Sequence, residues 1–64
     1  MTVEELISVA RARGGLVLDA DKYIADDLCQ IARAGGQRVR IDIVNAQRKT
    51  VDELLSIARA GAAV

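Results

Sequence analysis

The chain has 64 residues, nine Lys and Arg against nine Asp and Glu, one Cys, one Tyr, and no His, Pro, Trp or Phe. That length holds one small domain and excludes a cleft between two lobes, and without His the commonest general base near neutral pH is missing. One Cys makes no internal disulfide, one Cys without His makes no zinc site, and zero net charge does not favour long-range steering to nucleic acid or to an anionic membrane.

Residues 2–13, TVEELISVARAR, have helical spacing, with Thr2 and Glu5 placed as a capping box. Gly14 and Gly15 follow and are read as a helix C-terminal cap. Residues 16–19, LVLD, form a short apolar run that is read as a strand. A second helix is expected over 22–34, with Asp21 as its N-cap and Gly35-Gly36 as its stop. Residues 38–44 alternate, placing Val39, Ile41 and Ile43 on one face and Arg38, Arg40 and Asp42 on the other. The third helix is expected over 50–61, opened by a Thr50–Glu53 capping box. Its stripe of Val51, Leu54, Leu55 and Ala58, widened by Ile57, is expected to face the core.

The chain repeats itself. TVEELISVARAR at 2–13 and TVDELLSIARAG at 50–61 share eight of twelve residues. A third copy, IADDLCQIARAGG, lies at 24–36, so Leu28, Ile31, Ala32, Arg33 and Ala34 align with Leu54, Ile57, Ala58, Arg59 and Ala60. Leu28 and Leu54 are accordingly read as equivalent core anchors. The expected fold is α/β in the order α-β-α-β-α. Its short strands run parallel through a right-handed crossover, with helices on one face of the sheet and solvent on the other. Gly61-Ala62-Ala63-Val64 reads as the start of a third strand, free to add to a neighbour's sheet.

Leu16-Val17-Leu18-Asp19-Ala20-Asp21 and Ile41-Asp42-Ile43-Val44-Asn45 resemble the strand signature of leucine-rich repeats, with Asp in the Asn place in the first and Asn one residue early in the second. The resemblance implies a βα solenoid and a protein-interaction role through the exposed strand face, carried by Arg38, Arg40 and Asp42.

Each candidate for chemistry has a plainer explanation. Cys29 aligns with Ile7 and Leu55, stripe positions, and is read as a small buried hydrophobe. Asp26 and Asp27 align with Glu4-Glu5 and Asp52-Glu53, first-turn acids that complement helix dipoles. The Gly pairs follow helices and precede strands, the wrong end of the dipole for a phosphate loop. The rows Glu4/Ser8/Arg11, Asp26/Gln30/Arg33 and Asp52/Ser56/Arg59 read as solvated faces, with lateral register between helices as their alternative role.

No catalytic residue, metal ligand or cofactor site is assigned. Arg38, Arg40, Arg48 and Lys49, with Asp42, form the candidate partner-binding face, without aromatics for base stacking. The preferred function is a non-enzymatic, self-associating structural or protein-interaction module. A core of this size with no staple points to a homo-oligomer, meeting through sheet edges, helix faces or both. The alternative is a small regulatory binding protein, of antitoxin, immunity or adaptor type, whose Arg-rich strand face meets an acidic protein. Met1-Thr2-Val3-Glu4-Glu5 is acidic where a secretory leader is basic, and the Arg, Ala and Gly usage suits a GC-rich bacterial genome; the expected location is cytoplasmic.

Overall fold

Two Thr-x-x-Glu sequences start helices by closing reciprocal hydrogen bonds. Thr2 N–H donates to Glu5 Oε1 at 2.8 Å, and Glu5 N–H donates to Thr2 Oγ1 at 3.2 Å. Thr50 and Glu53 repeat the pair at 2.9 and 3.2 Å. These bonds hold the Glu5 and Glu53 carboxyls below their ordinary range, the backbone N–H of Thr2 and of Thr50 being the largest cause. The structure is a computed structural model that describes residues 2–36 and 39–64. Its elements in order are α1 (Val3–Arg11), β1 (Leu16–Asp19), α2 (Ala25–Gly35), β2 (Ile41–Val44), a 3-10 turn (Ala46–Arg48) and α3 (Val51–Arg59).

The protein is a small mixed α/β domain with three helices and a two-stranded parallel sheet. Leu16 lies opposite Ile41, Val17 opposite Asp42, Leu18 opposite Ile43 and Asp19 opposite Val44. Leu18, Ile41 and Ile43 are buried, whereas Val17 and Val44 on the opposite face are exposed. That alternation is the expected period of two, with Val39 also buried. α2 packs on both α1 and α3. Leu28, Ile31, Ile41 and Ile57 are the largest fully buried side chains, each contributing about 1.5–3 kcal/mol by burial. Tyr23, the one aromatic residue, lies half-buried at the margin of this aliphatic cluster.

Element ends differ from expectation for local reasons. α2 starts at Ala25, not at 22, and its N-cap is Ile24, which makes no side-chain cap bond. Asp21 does not cap it: Asp19 Oδ1 accepts the Asp21 N–H at 2.9 Å, and the Asp19 carbonyl accepts the Lys22 N–H at 3.1 Å, forming a turn in between. β2 begins at Ile41, and Arg38, expected to open it, lies outside the described residues. After α1 the left-handed position is Arg13, at φ 68°, rather than either glycine. Gly14 is needed for space instead, because a Cβ there would sit 2.7 Å from Val9 Cγ1. Gly36 and Gly61 do take positive φ, 63° and 115°, beyond the ends of α2 and α3.

Ala63 is bound to the sheet of its own chain. Its N–H donates to the Ile41 carbonyl and its carbonyl accepts from the Ile43 N–H, both at 2.8 Å. This is a parallel bridge opposite Asp42, at the edge of β2 that β1 leaves free. The start of a third strand therefore lies in place, added to β2.

Candidate interaction surface

Among the described residues the cationic face does not converge. The Arg40 side chain is 81% exposed, and its Nε donates to Asp42 Oδ1 at 3.0 Å and Oδ2 at 3.2 Å. Arg40 and Asp42 are thus brought together, each engaging the other's charge. Arg48 and Lys49 lie beyond the opposite end of β2. Lys49 Nζ donates to the Tyr23 carbonyl at 3.0 Å, pinning the start of α3 to the segment before α2. Arg48 is exposed. Arg38 lies outside the described residues, so the face it was expected to share is seen only at Arg40 and Asp42.

An apolar surface, on the stripe expected to face the core, is also left unpartnered. On α3, Val51 is 72% exposed and Leu55 46%; Ala58 is exposed and Leu54 only half-buried. Ile57, expected to widen the stripe, is the buried residue of this helix. Residues at the aligned positions of α2 are covered: Leu28, Cys29 and Ala32 are buried, and Ala25 is half-buried. The local spacing is the same in both helices, and the difference is that α2 has a helix on each side.

β1 presents a second open surface. Leu16 donates its N–H to the carbonyl of Arg40, just before β2, and Ala20 donates its own to the carbonyl of Val44, at the end of β2. Alternate residues of a parallel strand face the same side, so Val17 turns its amide to the outer edge. Among the described residues no strand pairs with that edge. A groove of about 290 Å³ is lined there by residues including Leu6, Leu16, Val17, Lys22 and Tyr23.

Cys29 is a free, buried thiol. The three polar rows are exposed throughout, and among the described residues the one ion pair is Arg40–Asp42, so no salt bridge links the rows. Among the described residues no group of three or more His, Cys, Asp or Glu is placed to hold a metal, and no helix is long and apolar enough to cross a membrane. Comparison with family models, with curated protein sequences and with solved structures finds no match to this chain.

Proposed function

We propose that this chain is a non-enzymatic, self-associating structural or protein-interaction module, built from βα repeats in the manner of a leucine-rich-repeat solenoid. The observation that carries the reading is the uncovered apolar flank of α3, with Val51 72% and Leu55 46% exposed. An uncovered strand edge beside β1 adds to it. The repeat-solenoid part rests on the threefold sequence repetition and on the side-by-side packing of α2 with α1 and α3. The non-enzymatic part rests on the absence of His from the sequence, which removes the commonest general base, and on the burial of the one Cys.

The rival reading, a regulatory binder using Arg38, Arg40, Asp42, Arg48 and Lys49, needs cations that point at a partner. Arg40 and Lys49 are instead engaged within the chain. Light scattering of the purified chain over a dilution series tests the choice. Molar mass that rises with concentration is expected; a monomer throughout would reject self-association and leave the rival.

A further inference from the structure

The proposed self-association leaves open how copies meet, and the pattern of covered and uncovered helix flanks points to an answer. We infer that copies dock head to tail: the Leu55 flank of α3 in one copy receives the Val9 flank of α1 in the next, and the outer edge of β1 pairs with the outer edge of residues 62–64.

The argument rests on aligned positions. Residues two apart on a helix point about 200° apart, so each helix has one flank carrying Val9, Ile31 or Ile57 and an opposite flank carrying Ile7, Cys29 or Leu55. In α2, the middle helix, both flanks are covered: Ile31 is 0% exposed and Cys29 6%. α1 meets α2 with its Ile7 flank, since Ile7 and Arg11 line one groove with Ala34 of α2. Its Val9 flank faces away, half-buried, beside Gly14 of its own chain. α3 is the converse: Ile57 is fully buried and Leu55 is open. The flank that α3 leaves bare is the flank on which α1 and α2 each receive the following helix. The flank that α1 turns away from α2, half-buried at Val9, is the one that α2 and α3 present to the preceding helix. The occupant that fits is therefore a second copy's α1, which is also the helix most like α3 in sequence.

The strands agree. β1 runs parallel to β2, and Ala63 bridges β2 in parallel, so all run the same way. With Ala63 bonded to Ile41 and Ile43, the neighbouring Ala62 carbonyl and Val64 amide turn outward by alternation. In the docked pair the outward Val17 amide of the second copy faces that edge, a parallel strand addition. Zero net charge sets up no overall repulsion between copies. A standard interface takes about 800 Å² from each partner, about a fifth of this chain's 4237 Å². One contact of a single helix flank and a single strand edge is modest, and it is heterologous, so it repeats into a ring or a filament.

The test blocks each end separately. Leu55→Glu spoils the α3 end. Val17→Pro removes the outward amide of β1 at a position whose side chain is already exposed, leaving the β1–β2 ladder intact. Circular dichroism confirms folding; Val51→Glu and Val9→Glu replace either variant that does not fold. Sedimentation velocity should show the unmodified chain growing with concentration, each variant alone a monomer, and their equimolar mixture a 1:1 dimer that grows no further. A mixture that stays monomeric, or a single variant that still associates, would overturn the head-to-tail arrangement while leaving self-association standing. An unmodified chain that is monomeric at every concentration would sink both.

Discussion

Cys29 is the buried member of an aligned set whose other members are not, Ile7 being half-buried and Leu55 46% exposed. Its alignment with Ile7 and Leu55 marks a stripe position, and the thiol is buried, 6% exposed. Cys29→Ala should fold, with a loss of about 1 kcal/mol for the missing volume, read from denaturant unfolding. The native thiol should react with a labelling reagent only on the timescale of opening. Leu28 and Leu54 occupy equivalent positions in the repeat but not in the structure. Leu28 is fully buried, and Leu28→Ala should cost about 2–5 kcal/mol. Leu54 is half-buried at the open side of α3, so Leu54→Ala should shift the unfolding midpoint of dilute protein by less than half as much. Equal shifts would mean that α3 is covered as α2 is.

At the scale of elements, what was legible was what local chemistry decides. The helices follow from apolar spacing, and the Thr2–Glu5 and Thr50–Glu53 boxes close as read. The boxes carry a pH dependence. The Glu5 and Glu53 carboxyls lie below the ordinary 4.5 in the folded chain, so they add stability at pH above their unfolded value and lose it as pH falls through the folded one. Glu5 is exposed and Glu53 only partly covered, so solvent screens both and the effect is small. Thermal midpoints taken from neutral to acid pH should fall on the acid side, and Glu5→Gln with Glu53→Gln should flatten that fall, because an amide oxygen accepts the same bond at every pH. What was not legible depended on neighbours. Asp21 is a good cap type, but Asp19 accepts the amides of residues 21 and 22 and folds them into a turn, so that the helix begins only at Ala25. Arg48 and Lys49 look like part of one basic patch with Arg40, yet Lys49 is drawn to the Tyr23 carbonyl, 26 residues away in the chain.

For the whole molecule, the same apolar stripe is core in α2 and surface in α3, and no spacing rule distinguishes them. Only the presence of a helix on the far side does. If self-association supplies that cover, it stabilises the folded state by mass action, and the thermal midpoint must drop on dilution. A midpoint independent of concentration would count against coupling between assembly and folding. The exposed β1 edge carries a further consequence, in the rhythm of amide hydrogen exchange. Leu16 and Ala20 spend their amides on β2, while Val17, between them, offers its own to water. Exchange along β1 should therefore stutter, slow at residues 16 and 20 and fast at 17. In concentrated protein the fast site should slow toward its neighbours, so that a single deuterium signal at Val17 reports whether another chain has arrived.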